Sequence, residues 1–389
     1  MSLQNIKTVL KKNVMLIVLV LVYVFFLIMT HGDIFKPMKF TQLVTENAYV
    51  FILACGMLMC MLTGGNIDLS CGSFVCLLGA IGGVLMVIKG VSTGVAIAVM
   101  LLVGIAYGCG LGYLVAYVNV PPWIATLAGY LAFRGLGTSI LSANSSTGSI
   151  APFPQSFLDI FSGKIFQTKM SQFNMVCMGV GIAATLIVVV SIFWTRKSRM
   201  MKGYEADSFN AAAAKSALGA GGILLVMYKL AKAGGIPTVL IWVVVVVLIY
   251  SFITSKTTIG RHFYVVGGNM EAARLSGVNT RRIMFIAYLN MAILTVVSAW
   301  TVMARFQAAN STAGTNYEMD AISACVVGGV SASGGAGTVM GMVIGATLIG
   351  VINLGMNMVL PDTNYQKVVK GVVLLGAVAF DILSKKRES

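Results

Sequence analysis

A chain of 389 residues that is 58% hydrophobic and only 10% charged has too few polar side chains to cover a water-soluble globule. Its mean hydropathy of +0.91 marks a polytopic membrane protein, with length for roughly ten to twelve helical spans of about 20 residues. The formal charge of +15 is scattered over loops, not gathered on one soluble patch, so it argues for membrane topology and against a nucleic-acid partner. The apolar runs are continuous, which predicts an all-α transmembrane bundle instead of a β-barrel of alternating strands. Cys55, Cys60, Cys71, Cys76, Cys109, Cys177 and Cys325 lie in or beside apolar runs as small hydrophobes. With no C-x-x-C and only His31 and His262, neither a zinc site nor disulfides are indicated.

Lys7, Lys11 and Lys12 precede the run Val14–Met29, and no small-residue cleavage site follows it. This reads as an uncleaved first span starting in the cytoplasm. Residues 33–41 then face outward, and the chain re-enters near Asn47 and stays apolar to Leu62. There it meets the interruption TGGNIDLSCGS, residues 63–73. Asp68 belongs either to a polar membrane interior or to a tight cytoplasmic turn in which it caps the next helix. Gly64, Gly65 and Gly72 allow the irregular backbone of a broken helix. Apolar segments follow at 74–88 and 95–117, and Pro121 and Pro122 open another span. Arg134 within it is either an interior charge with a functional partner or a side chain snorkelling to the outer interface, and the second is the preferred reading. Residues 142–172 form the largest outward segment. The span 174–194 then crosses inward to the basic cluster Arg196, Lys197, Arg199 and Lys202, which orients the chain. Further spans run over 218–231, 237–253 and 283–303, and residues 305–317 face outward.

Between two of these spans lies the polar stretch 256–282, KTTIGRHFYVVGGNMEAARLSGVNTRR. It reads as a cytoplasmic loop with a short helix at about 270–276. Asn269 can cap that helix, Glu271 sits in its first turn where the dipole favours an anion, and Gly277 suits its left-handed end. Ala272 and Ala273 leave one side bare enough for close contact, and Arg261, Arg274, Arg281 and Arg282 mark the surroundings as cytoplasmic. A helix too short to be stable alone, held between two spans, suits a docking element or an amphipathic loop lying on lipid. Further on, EMDAISACVVGGVSASGGAGT carries Glu318 and Asp320 into an apolar piece too brief to cross, broken at 328–337 and continued through Leu354. With residues 63–73 this makes two discontinuous helix pairs, whose shared glycine pattern suggests an internal duplication. A final span, about 368–383, delivers Lys385, Lys386 and Arg387 to the cytoplasm. Leaving out Arg134, this topology places 16 Lys and Arg inward and 10 outward, with both termini inside and one transmembrane domain over 1–389.

The chain has no G-x-x-x-x-G-K-[ST] loop for nucleotide phosphates and no ligand cluster for a metalloenzyme, so an ATPase driving it would be a separate subunit. At this point GRHFYVVGGNMEAARLSGV, NIDLSCGS and CVVGGVSASGGAGTVMG resemble the permease subunit of bacterial ATP-binding-cassette importers of xylose, ribose, galactose and other monosaccharides. The likeness runs from about Lys39 to Arg387 and is greatest to the longer xylose-type and multiple-sugar permeases, partly through residues 202–232. It implies a transport subunit, not an enzyme, in the bacterial plasma (inner) membrane. It also implies a second permease copy, a cytoplasmic ATPase holding ATP and Mg, and an extracytoplasmic sugar-binding protein. Gly267, Gly268, Asn269, Glu271, Ala272, Ala273, Arg274, Ser276 and Gly277 fall on the family's coupling motif. Asp68, Leu69, Ser70, Gly72 and Ser73 fall on its I-D-L-S-x-G-S motif, with Cys71 where valine is usual and Asn66 where a small or acidic residue is common.

A monosaccharide is neutral and rich in hydroxyls, so its route needs hydrogen-bonding groups. Asn66, Asp68, Ser70, Asn353 and Asn357 are the pathway candidates, with Glu318 and Asp320 nearer the outer mouth; each could equally cap a helix or join helices. The competing readings are an ion-coupled secondary transporter, a related permease for nucleosides or branched-chain amino acids, and an intramembrane enzyme.

Overall fold

Apolar runs become helices here, and polar or proline punctuation sets their ends. A computed structural model describes residues 14–168, 173–206, 208–359, 362, 364–372 and 375–376. The first run forms α1, Val14–Met29, and leads through a 3-10 turn, Asp33–Phe35, into α2, Pro37–Leu62. Helix α2 begins ten residues before the expected re-entry near Asn47. Pro37 at its first position has its φ preset, and Thr41 and Thr45 bond back to the carbonyls of Pro37 and Thr41, so a polar opening turn is tolerated. Helix α3, Cys71–Gly83, continues as a π-helical turn, Val84–Ile88. Next come α4 (Thr93–Ala116), α5 (Pro122–Asn144), α6 (Gln155–Phe161), α7 (Met175–Met201), α8 (Phe209–Lys232) and α9 (Thr238–Lys256). The chain closes with α10 (Thr258–Gly268), α11 (Met270–Leu275), α12 (Thr280–Phe306), α13 (Tyr317–Val327) and α14 (Val339–Val359).

Among the described residues, nine helices are long and apolar enough to cross a membrane: α2, α3 with its π turn, α4, α5, α7, α8, α9, α12 and α14. The all-α membrane bundle is therefore the architecture. Helix α1, at 16 residues, is shorter than a full crossing, and α13, at 11, reaches about halfway. Residues 364–372 are helical; the rest of the expected last span, and the basic residues at both termini, lie outside the described residues. Short antiparallel strand pairs tie loops together at one end: β1 (Ser149–Ile150) with β4 (Ala309–Asn310), and β2 (Lys164–Ile165) with β3 (Ile236–Pro237).

The core sits where α2, α3, α12, α13 and α14 meet. Helix α4 joins it along Gly104, Gly108 and Gly112, whose bare Cα atoms face Val296, Leu289 and Phe285 of α12. This small-xxx-small stripe is how helices approach closely where lipid supplies no hydrophobic drive. By contrast, α7 and α8 pack mainly against each other, with Gly181 against Met227 and Gly219 against Val188. Most of their apolar surface points away from the bundle.

Two elements depart from the sequence reading. The outward segment 142–172 contains α6, which starts after Pro154 and buries Phe157 and Phe161; Phe161 packs 5.4 Å from both Trp242 and Trp300. Helix α10 occupies what reads as plain loop before the short helix. Thr257 caps it by accepting from the Gly260 amide, and Phe263 and Val266 bury one face.

Candidate functional site

Residues 257–277 build a two-helix bracket. Asn269 ends α10 and caps α11, its side chain accepting from the Ala272 amide at 2.9 Å. Glu271 pairs with Arg274 at 2.7 Å, and both side chains are about two-thirds exposed. Helix α11 closes at Ser276, whose hydroxyl bonds the Ala272 carbonyl, and Gly277 turns the chain at φ +83. The expected helix at 270–276 is thus found at Met270–Leu275. Ala273 is fully buried, so its small side chain serves packing against the permease itself, not contact with another surface. Met270, Glu271, Ala272, Arg274 and Leu275 form the exposed face.

This bracket is joined to both glycine-rich interruptions. A Cβ on Gly267 would lie 1.7 Å from the Leu62 carbonyl oxygen, at the end of α2, and 2.6 Å from the Gly335 amide. That carbonyl accepts from the Gly335 amide at 3.2 Å, and the Tyr264 hydroxyl donates to the Gly337 carbonyl at 2.9 Å. A Cβ on Gly65 would meet the Ala332 oxygen at 2.0 Å, and one on Gly334 the Gly64 backbone at 2.5 Å. Backbones at 62–65, 267–268 and 332–335 therefore touch with no side chain between them. Gly268 is exposed beside this junction.

The pathway candidates separate into distinct groups. Asp68, 1% exposed, accepts from the Ser70 amide at 2.8 Å and the Ser70 hydroxyl at 2.5 Å. With that hydroxyl proton committed, the Tyr107 hydroxyl donates to Ser70, 2.6 Å away. Tyr107 itself packs among Phe74 and Phe133. Asp68 thus sits in a buried polar chain roofed by aromatic rings and also bonds the residue preceding α3. Asn66 holds the turn before it, donating to the Thr63 carbonyl and hydroxyl at 3.1 Å.

A second group surrounds Asp320 in α13. Its carboxylate, 3% exposed, accepts from the Tyr49 hydroxyl at 2.5 Å and Asn353 at 3.5 Å, and pairs with Lys370 at 2.9 Å. Asn353 also donates to Asn47. Asn357, exposed at the end of α14, accepts from Gln366 and stands outside this group. Glu318, 2% exposed, lies against Gly72, where a Cβ would be 2.1 Å from its Oε2; that oxygen has no hydrogen-bond partner among the described residues.

Arg134 does not snorkel. Its Nη1 donates to the Ser311 carbonyl at 3.1 Å and the Ala313 carbonyl at 2.8 Å, because the 310–316 loop packs its backbone against α5. Its buried Nη2 has no hydrogen-bond partner among the described residues. Glu318 Oε2 and Arg134 Nη2 are thus one buried acceptor and one buried donor that no described residue engages. Tyr49, Tyr107, Asn47 and Lys370 went unnoticed as site residues, since lone polar groups in apolar runs reveal no partner before folding. Among the described residues no group of three or more His, Cys, Asp or Glu gathers to hold a metal, and the seven cysteines are all unbridged.

Comparison with known proteins adds kinship. The model of the branched-chain amino acid transport system permease component family matches residues 40–378. The xylose transport system permease protein XylH of Haemophilus influenzae is 34% identical over 96% of this chain and 96% of its own length. XylH of Escherichia coli K12 is 32% identical over 96% and 92%. The ribose import permease protein RbsC of Escherichia coli K12 is 31% identical over 85% and 81%. No solved structure matches.

Proposed function

Because the chain belongs to the branched-chain amino acid transport system permease component family, we propose that it is the transmembrane subunit of an ATP-binding-cassette importer that moves a monosaccharide inward. It is a transport subunit of the bacterial inner membrane, and its relatives' names favour a pentose over the amino acids of the family's title. The observation carrying this reading is the bracket of α10 and α11, capped, exposed on one face and joined backbone to backbone to both glycine interruptions.

Helix α11 is the handle for a cytoplasmic ATPase, on which ATP and Mg are held. Residues Gly267, Gly268, Asn269, Glu271, Ala272, Ala273, Arg274, Ser276 and Gly277 transmit its movement. A displacement of α11 passes through α10 and the Gly267 contact to the end of α2 and the 332–335 loop. From there it tilts α2 and α14 together, since packed helices shift as bodies. The single domain, 1–389, then works as a second copy's partner in a homodimer, with a sugar-binding protein on the opposite face.

The cargo bears no charge, so passage calls for weak, replaceable hydrogen bonds. Asp68 with Ser70, and Glu318 opposite Arg134, offer paired acceptors and donors for adjacent hydroxyls, while Asn66, Asp320, Asn353 and Asn357 hold the walls. Selection among sugars rests mainly on the binding protein.

Reconstitution tests the reading. A nucleotide-binding subunit should co-purify with this chain, and vesicles holding both should accumulate xylose or ribose only with ATP and the binding protein. Uptake that persists without ATP and follows a proton or sodium gradient would overturn it in favour of a secondary transporter.

A further inference from the structure

Most of the polar groups considered for the sugar's route are already committed to other residues of the chain. Asn66 donates to Thr63, Asp68 accepts from Ser70, Asp320 pairs with Lys370, and Asn357 accepts from Gln366. Asn353 keeps one free acceptor oxygen, but within the Asp320 group. Glu318 Oε2 and Arg134 Nη2 are different, and a third atom joins them: the Ser73 hydroxyl, 0% exposed and without a hydrogen-bond partner among the described residues.

The three groups converge on one level of the bundle. Helices α3 and α5 run side by side in the same direction, since a Cβ on Gly129 would lie 3.0 Å from the Ser70 Cβ and one on Gly137 3.0 Å from the Cys76 Sγ. Ser73, midway between Ser70 and Cys76, is therefore level with residue 133, next to Arg134. One turn above Ser73 on the same helix face, the Cys76 Sγ meets the Ser311 carbonyl at 3.8 Å, the same oxygen that Arg134 Nη1 binds. On its other side, Gly72 touches Glu318 Oε2 and the Gly314 carbonyl with no Cβ between them. Arg134 stands about 18 Å along the roughly 35 Å of α5, near the middle of the membrane, where bulk water does not reach.

Buried polar atoms left without partners are costly, so three at one place point to a hydroxyl that engages them. We propose that Ser73, Arg134 and Glu318 form a subsite for two adjacent hydroxyls of the sugar, an inference that rests on the importer reading. One hydroxyl accepts from Arg134 Nη2 and donates to Glu318 Oε2; its neighbour pairs with the Ser73 hydroxyl. Asn66, Asp68, Asp320, Asn353 and Asn357 then shape the walls. The subsite also selects by charge, because a sugar acid sets its carboxylate against Glu318 and an amino sugar sets its ammonium against Arg134. A neutral polyol meets neither repulsion. With its groups enclosed, the site is an occluded station, reached when the 311–316 segment lifts from α3. Only bare backbone holds the two together at Gly72 and Gly314.

The test uses the complete importer in vesicles: this chain, its ATPase and its sugar-binding protein. Initial ATP-driven uptake is measured for whichever of xylose and ribose the wild type accumulates, and for the monodeoxy analogues of that sugar. The binding protein is the same throughout, so its own selectivity cancels in the ratio of variant to wild type. Ser73→Ala should lower uptake of the parent sugar about tenfold, and Glu318→Gln at least about tenfold. For each variant the loss should vanish with the one analogue lacking the hydroxyl that the altered side chain faces. Removing an unpartnered buried hydroxyl does not weaken folding, so the thermal midpoint of Ser73→Ala in detergent should not fall. Arg134 also anchors residues 311–313, which makes it the less diagnostic position. Wild-type uptake in Ser73→Ala, or a loss equal for every analogue, would overturn the subsite and leave the three groups to an enclosed water. A wild type that carries no sugar with ATP would instead overturn the importer reading, and the subsite with it.

Discussion

Lys370 neutralises a carboxylate that has almost no access to water, since Asp320 is 3% exposed and its other partners, Tyr49 and Asn353, are uncharged. Removing the cation alone leaves an uncompensated charge in a low-dielectric interior, which costs about 3–5 kcal/mol when a buried pair is broken. Lys370→Met should therefore lower the thermal midpoint in detergent substantially. The double variant D320N/K370M should recover much of the loss, because no charge is stranded; additive losses in the cycle would remove the pair from the list of structural ties. Arg134 teaches the same lesson. Its environment is decided by carbonyls of Ser311 and Ala313, more than 170 positions away in the chain, so a lone arginine in an apolar run reads as snorkelling until those carbonyls are placed.

At the scale of elements, the exposed Glu271–Arg274 pair allows docking to be separated from folding. An exposed ion pair contributes about 0–1 kcal/mol, so Glu271→Lys should leave the thermal midpoint nearly unchanged. It places a cation in the first turn of α11 and reverses the charge offered to a partner. Sugar uptake should fall at least about tenfold in reconstituted vesicles while ATP hydrolysis continues without following sugar. Gly277→Pro should have a similar effect for another reason, since proline cannot adopt the φ of +83 that ends α11. Sugar-stimulated hydrolysis at the wild-type level in both variants would remove α11 from the coupling role. Helix α11 was legible beforehand because its cap, first-turn acid and terminal glycine are local signals. Helix α10 was not read, although Thr257 and the spacing of Ile259, Phe263 and Val266 mark it as amphipathic.

Across the whole molecule, coupling depends on bare backbone contacts, so it should be sensitive to single methyl groups. Gly267→Ala places a carbon 1.7 Å from the Leu62 oxygen, far inside van der Waals contact, and the neighbour is backbone that cannot swing aside. Protein that still inserts should lose uptake by at least about tenfold, whereas Gly268→Ala, with nothing within 4 Å, should be close to wild type. Equal activity of the two variants would mean the junction transmits nothing. The sequence by itself determined the membrane bundle, most helix positions and the short coupling helix, because continuous apolarity, caps and turn residues act within a few positions along the chain. Only the tertiary structure decided that residues 62–65, 267–268 and 332–335 meet, that Asp320 finds Lys370 and that Arg134 reaches the 311–313 carbonyls. Those contacts join segments far apart in sequence, and hydrogen bonding and close packing act on distance in space, which no local pattern encodes.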